Sequence, residues 1–286
     1  VSDLVTLWRE VRDRLIAAGV DTPVIDARML VEAGAGVSRT DIVTDPRRVL
    51  SSAQTAAVEA LVKRREAREP VAHIVGKKAF WTIELEVNGD VLIPRPETEF
   101  VVEAGIAALP FAEAARVLDL GVGSGAILYA LLSARPLATG VGVDKSPAAL
   151  AMARKNADRL GLSQRVELRQ GDWAEGLAAG AFDLVVSNPP YIRSFEIAAL
   201  EPEVARHEPR LALDGGVDGL TAYRAVFPAI ARVLKPGGSF AVELGRGQAE
   251  AAWALADDAG LRPDEVKNDL AGAPRVLIGR LAHPRG

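Results

Sequence analysis

At 286 residues, 49% of them apolar, the chain can bury a sizeable core in one large domain or two smaller ones. A net charge of −4, with no basic tail and no Lys/Arg stripe, argues against direct nucleic-acid binding. With no cysteine there are no disulfides, thiolate metal sites or cysteine nucleophile, and three scattered histidines (His73, His207, His283) give no metal cluster, so no metal is expected.

Charged residues at Asp3, Arg9, Glu10 and Arg12 keep the start from reading as a signal peptide. The longest uncharged run, 120–134, contains three glycines and falls short of the roughly 20 apolar residues a membrane helix needs. A monomeric, cytoplasmic protein with no membrane association is expected.

The first eighty residues read as helices. Leu4, Leu7, Val11, Leu15 and Ala18 share a face, and Gly19 ends it. Pro23 opens a second helix with Ile25, Met29 and Leu30 facing inward and a break near Gly34. Ser38 and Asp41 start a third. Ser52 caps a fourth, with Val58, Leu61 and Val62 inward and Lys63, Arg64 and Arg65 outward. Residues 1–77 are read as a helical substrate-recognition domain. From 78 to 94 the period changes to alternation, Asn88-Gly89 is a hairpin turn signal, and this stretch is read as a β-hairpin linker. Pro94-Arg95-Pro96-Glu97-Thr98-Glu99 then opens a helix, with acids in the first turn, and could form a wall of the site.

From Arg116 strands alternate with helices: strands at 117–120, 139–143, 166–168, 182–186, 239–244, 261–266 and 276–279, with helices between them. This predicts an α/β, doubly wound, mostly parallel seven-stranded sheet over residues 95–286. In such sheets ligands lie at the carboxyl ends of the strands. The first strand end carries Gly121-Val122-Gly123-Ser124-Gly125, a loop that lets the backbone approach a ligand closely. The second carries Asp144, nineteen residues beyond Gly125, placed to accept ribose hydroxyls. The third carries Asp172-Trp173, an acid for an exocyclic amine and an aromatic for an adenine ring. The loop alone fits NAD or an adenosyl cofactor equally.

The fourth strand, Phe182 to Val186, ends at Ser187-Asn188-Pro189-Pro190-Tyr191. Two prolines stop the strand, and Asn188, ahead of a proline, is held extended. The stiff turn offers the Asn188 amide, the Pro189 carbonyl and the Tyr191 ring to a planar –NH2 group.

The combination resembles the class I S-adenosylmethionine-dependent methyltransferases whose Asn-Pro-Pro-Tyr motif serves amide or exocyclic nitrogens. Within them it resembles the HemK/PrmC family, the protein-(glutamine-N5) methyltransferases of peptide chain release factors. The likeness runs through Glu69 to His73, Phe80-Trp81, Leu92 to Glu99, Asp119 to Gly125, Ser187 to Tyr191, Glu208 to Leu213, and Asp269 to Gly272 with Arg275. Ile93 to Glu99 is its specific part, and Val122 departs from it where threonine is frequent.

The resemblance implies S-adenosylmethionine held by Gly121, Val122, Gly123, Ser124, Gly125, Asp144, Asp172, Trp173 and Asn188. It implies the glutamine of a Gly-Gly-Gln loop held by Asn188, Pro189, Pro190 and Tyr191, and a role in translation termination. Asn188, Pro189 and Tyr191 are the catalytic candidates, aligning nitrogen, methyl and sulfur. The alternative is an adenine-N6 methyltransferase acting on DNA or RNA; it shares the motif, but the acidic charge and the lack of a base-reading domain count against it.

Overall fold

The computed structural model describes residues 3–282, so His283 lies outside the described residues. The chain forms two compact units: residues up to 77 with 201–207, and residues 78–200 with 208 onward. The hairpin stretch thus belongs to the larger unit, and a short segment far along the chain belongs to the smaller.

The smaller unit holds α1 (Leu4–Ala17), α2 (Pro23–Ala35), α3 (Arg39–Thr44), α4 (Ser52–Glu66) and α5 (Val71–Val75). Leu4, Leu7, Val11 and Leu15 of α1 meet Leu30 and Val31 of α2 and Val58 and Val62 of α4 in one apolar cluster. Ser51, not Ser52, caps α4: its hydroxyl accepts the Gln54 N–H, and Gln54 Oε1 accepts the Ser51 N–H, a reciprocal capping box. Ile25 does not face inward; the inward turn of α2 is taken by Asp26 and Ala27.

The reason lies in Arg65, which is 5% exposed rather than on the solvent side of α4. Its Nε donates to Asp26 Oδ2 at 2.7 Å and its Nη1 to Glu203 Oε1 at 2.8 Å. Arg68 adds a two-pronged pair to the same Glu203 carboxylate at 2.6 and 2.8 Å. Burial opposes charge on Glu203, but the hydrogen bonds from Arg68 and Arg65 outweigh it and hold its pKa down at about 2. Glu203 lies in the helix Pro202–His207, α9 in chain order.

In the larger unit β1 (Lys77–Phe80) and β2 (Ile83–Glu86) pair as a hairpin that turns at Trp81-Thr82, with Trp81 at φ 53°. Asn88-Gly89 is not its turn. It makes a separate bend after β2, where Asn88 Oδ1 accepts the Asp90 N–H at 3.0 Å, and the residues beyond form no returning strand. The Asn-Gly pair turns the chain in either setting, so turn chemistry alone could not place the hairpin.

After α6 (Glu99–Ala108) come β3 (Arg116–Leu120), α7 (Ala126–Ala134), β4 (Thr139–Asp144), α8 (Pro147–Arg159), β5 (Val166–Gln170) and β6 (Phe182–Ser187). Beyond α9 follow α10 (Thr221–Val233), β7 (Leu234–Glu243), α11 (Ala249–Asp258), β8 (Leu261–Asn268) and β9 (Pro274–Leu281). The sheet runs β5-β4-β3-β6-β7-β9-β8. Strands β3 to β7 are parallel; β9 runs antiparallel to β7, and β8 antiparallel to β9.

Successive residues of the central strands feed opposite layers. Leu184 and Val186 join the layer under α6, α7 and α8, and Val185 joins the one under α10 and α11. Both faces are covered, which is why the middle of β6, Leu184-Val185-Val186, is apolar on successive residues.

Removing one member of a buried ion cluster strands the others. Arg65→Ala should lower unfolding free energy by about 3–5 kcal/mol in a urea titration, because Asp26 keeps a buried charge without its partner. Arg65→Met with Asp26→Leu should recover most of that loss. A single-variant cost under about 1 kcal/mol would show the cluster to be no more than a surface pair.

Candidate functional site

Parallel pairing sets β3 and β6 side by side with Leu120 level with Ser187, and the buried Ser187 hydroxyl closes the pair by donating to the Leu120 carbonyl at 2.6 Å. The glycine loop after β3 and the Asn-Pro-Pro-Tyr turn after β6 therefore start from the same height. Between them and the next strand ends lies a cavity of about 430 Å³. Gly121, Val122, Gly123 and Ser124 line it, as do Asp144, Asp172, Trp173, Asn188 and Pro190. Four strand ends that the sequence separates by up to seventy residues share one space.

Gly121 and Gly123 sit at φ 79° and 53°, conformations that side chains resist, and nothing stands within 4 Å of where a Gly121 Cβ would project. The loop is braced by Asp144, whose Oδ2 accepts the Gly123 N–H and whose Oδ1 accepts the Ser146 N–H, each at 2.9 Å. Each oxygen keeps a second lone pair for a ligand hydroxyl. Buried Asn156 ties the hairpin to the loop. It accepts the Glu86 N–H at 2.8 Å and donates to the Glu86 and Ser124 carbonyls, both at 3.0 Å.

Three candidates from the sequence do not reach the cavity wall. Gly125 instead starts α7, where the Tyr129 ring fills the place of any Cβ. The Pro189 ring is buried outside the lining. Tyr191 packs against the α10/α11 layer and donates its hydroxyl to Glu243 Oε1 at 3.1 Å, so its ring is not offered to a ligand; burial beside Glu243 pushes its pKa up. Asp172 lines the cavity but is exposed and paired with Lys145 at 3.1 Å.

The cavity also takes in Pro94 and Thr98 from the Ile-Pro-Arg-Pro-Glu-Thr-Glu turn, with Leu92 just before it, and Leu211 and Ala212 from the segment after Glu208. The first group was visible as a possible wall. The second belonged to the family resemblance without a role. Arg95 Nη2 donates to the buried Glu208 carboxyl at 2.6 Å, linking these two stretches across the site. Burial raises the Glu208 pKa against the pull of Arg95.

Asp119, one residue before the end of β3, is 1% exposed, and its Oδ1 has no hydrogen-bond partner. Burial lifts its pKa to about 7, opposed by the Leu128 N–H and aided by the nearby Asp144 charge. The donor set fits S-adenosylmethionine: open backbone over Gly121, spare acceptors on Asp144, an aromatic wall at Trp173, and an unpartnered acid beneath the loop. Among the described residues no group of acids and histidines could hold a metal, and no helix is long and apolar enough to cross a membrane.

A mostly parallel seven-stranded sheet with a glycine loop and acids at its strand ends defines a class I methyltransferase. Residues 112–271 match the methyltransferase domain family. A methyltransferase from Pyrococcus furiosus shares the fold with a TM-score of 0.54 over 78% of this chain and 98% of that one, at 18% identity.

Residues 6–76 match the PrmC N-terminal domain. The release factor glutamine methyltransferase of Caulobacter vibrioides is 55% identical over 276 residues, 96% of either chain. That of Rhodospirillum rubrum is 49% identical over 267 residues, 93% of this chain and 82% of the relative. The chain belongs to the release factor glutamine methyltransferase family, and these relatives do not favour the adenine-N6 alternative.

The raised pKa of Asp119 has a signature in stability. An acid near 3.8 when unfolded and near 7 when folded loses stability as pH rises between those values, by about 4 kcal/mol at most. Asp119→Asn, which never ionises, should therefore unfold at a higher temperature than the parent at pH 8, with the gap shrinking toward pH 5. A pH-independent gap would show that Asp119 carries its charge in the fold.

Proposed function

We propose that the chain transfers a methyl group from S-adenosylmethionine to the side-chain amide nitrogen of the glutamine in the Gly-Gly-Gln loop of peptide chain release factors, in support of translation termination. The observation that carries this reading is that Asn188 lines the same cavity as the glycine loop, Asp144 and Trp173. Those three groups would hold a cofactor in the same space that Asn188 faces. Bound S-adenosylmethionine supplies an activated methyl group on a positively charged sulfur.

The chain's own work is alignment. An amide nitrogen is a poor nucleophile because its lone pair is delocalised into the carbonyl. Asn188 Nδ2 donates to Thr98 Oγ1 at 3.1 Å, which leaves Oδ1 as the acceptor on the other edge. Oδ1, which faces the cavity, accepts an N–H bond of the glutamine amide, helps to hold its plane, and stabilises the positive charge that grows on nitrogen. Pro190 shapes the wall beside it. Tyr191 supports the turn from behind, through Glu243, rather than stacking on the substrate. Among the described residues no histidine lines the cavity, and the surplus proton leaves late, to a carbonyl or water.

The smaller unit, with its match to the PrmC N-terminal domain, is the part we assign to holding the release factor. The protein acts as a monomer in the cytoplasm, where release factors work.

Incubation of the protein with methyl-labelled S-adenosylmethionine and intact release factor, followed by peptide mass spectrometry, tests the reading. One methyl group should appear on the glutamine of the Gly-Gly-Gln peptide and none on a release factor carrying Gly-Gly-Ala. Label on another residue, or none on release factor, would refute it.

A further inference from the structure

Gln248 stands at the start of α11, 9% exposed and outside the cavity lining, yet its side chain reaches the end of the Asn-Pro-Pro-Tyr turn. Its Nε2 donates to the Tyr191 carbonyl at 3.0 Å and to the Gly219 carbonyl at 3.3 Å. Tyr191 is held at its far end too, since its hydroxyl donates to Glu243 at the close of β7. The backbone packs tightly around it. A Cβ on Gly215 would stand 2.8 Å from Tyr191 Cα, one on Gly219 2.6 Å from its carbonyl oxygen, and one on Gly245 2.9 Å from its ring. Two stretches of the larger unit, 215–219 and 243–248, therefore enclose this one residue.

What lies on either side gives these bonds a consequence. Between Asn188 and Tyr191 stand two prolines whose rings fix φ, so a shift of Tyr191 passes to Asn188 rather than being absorbed on the way. Gly219 belongs to a second strip of wall. Asp214, Thr221 and Ala222 of that strip line the cavity, and the Thr221 N–H donates to the Gly215 carbonyl at 3.0 Å. One nitrogen thus ties the strip that carries Asn188 to the strip that carries Thr221. We infer that Gln248 is a positioning residue for methyl transfer: by holding the Tyr191 and Gly219 carbonyls together it keeps Asn188 in its place in the cavity wall. The inference rests on the assignment of Asn188 to the glutamine amide.

A primary amide suits this place. Its nitrogen brings two hydrogens to two carbonyl oxygens, whereas a flipped amide or a carboxylate would meet both with lone pairs alone. Helix capping does not account for the residue. The Gln248 side chain makes no cap bond; the start of α11 is built by its main chain, whose N–H donates to the Gly245 carbonyl at 3.1 Å and whose carbonyl accepts the Ala252 N–H at 2.9 Å. Packing does not account for it either. Gln248 Oε1 is buried without a hydrogen-bond partner among the described residues, and an unpaired buried acceptor destabilises a fold. A methionine would fill a similar volume without that penalty, so the two donated bonds are what the amide adds.

The test uses the full chain carrying Gln248→Met, Gln248→Glu, Asn188→Ala, or Gln248→Met together with Asn188→Ala. The measurements are single-turnover methyl transfer to release factor at saturating S-adenosylmethionine and calorimetric affinity for that cofactor. Gln248→Met keeps volume and removes both donors. It should slow transfer about ten- to a hundredfold, with cofactor affinity within about threefold of the parent. Gln248→Glu sets a carboxylate against two carbonyl oxygens and should be no faster; it carries the test if the methionine variant does not fold. On the Asn188→Ala background Gln248→Met should change the rate less than about threefold, because a residue that acts through Asn188 then has nothing left to position. An equal loss on both backgrounds is the mark of a merely structural role and overturns the inference, as does a fall in cofactor affinity that matches the fall in rate. Parental rates in Gln248→Met and Gln248→Glu beside a slow Asn188→Ala overturn this inference alone, whereas a parental rate in Asn188→Ala overturns the site assignment beneath it.

Discussion

The pairing of β3 with β6 is the constraint on which the site depends. Five parallel strands can share a sheet only if their carboxyl ends point the same way, and the register that levels Leu120 with Ser187 decides what meets there. A slip of one residue would send Leu184 and Val186 into the wrong layer and turn Ser187 away from the Leu120 carbonyl. The two apolar layers enforce the register, because both faces of β6 are buried. The core thus does more than hold the fold: it sets the height of the glycine loop relative to Asn188.

Around that frame the larger unit spends stability on buried acids. Asp119, Glu208 and Glu243 are all under a tenth exposed, and burial raises the pKa of each. Asp119 stands directly before the glycine loop, Glu208 against Arg95 of the Ile-Pro-Arg-Pro turn, and Glu243 against Tyr191. The smaller unit handles its charges differently. Asp26, Arg65, Arg68 and Glu203 neutralise one another, and Glu203 is held ionised at about 2. Compensated charge gives the smaller unit a fixed shape, whereas, among the described residues, only Glu208 of the three buried acids has a cationic partner, Arg95.

Much of this was legible in the sequence because it is local. The period-2 and period-3.6 patterns gave the seven strands and the helices between them, and the polar strand ends marked the cofactor side. What the sequence left out depends on partners far along the chain. Arg65 follows Lys63 and Arg64 in a run that looks solvated, and only Asp26 and Glu203, 39 and 138 residues away, turn it inward. Tyr191 sits in a motif where an exposed ring is the natural reading, and only Glu243 draws its hydroxyl into the protein. Asn88-Gly89 has the chemistry of a hairpin turn but not the second strand. Glu243 and Thr98 gave no signal as neighbours of the motif, since a strand-ending acid and a helix-opening threonine are common and their contacts with Tyr191 and Asn188 exist only in three dimensions.

The account stands on Asn188 as the group that holds the reacting nitrogen, and Asn188→Asp tests that most directly. The exchange keeps shape and an acceptor oxygen but removes the hydrogen given to Thr98 and adds a charge near the sulfonium. Cofactor affinity should hold or rise, while the single-turnover rate of methyl transfer to release factor, at saturating S-adenosylmethionine, should fall by about 10²–10³. A rate within about tenfold of the parent would contradict the account, because a reaction that runs by alignment cannot be indifferent to the side chain assigned to align it.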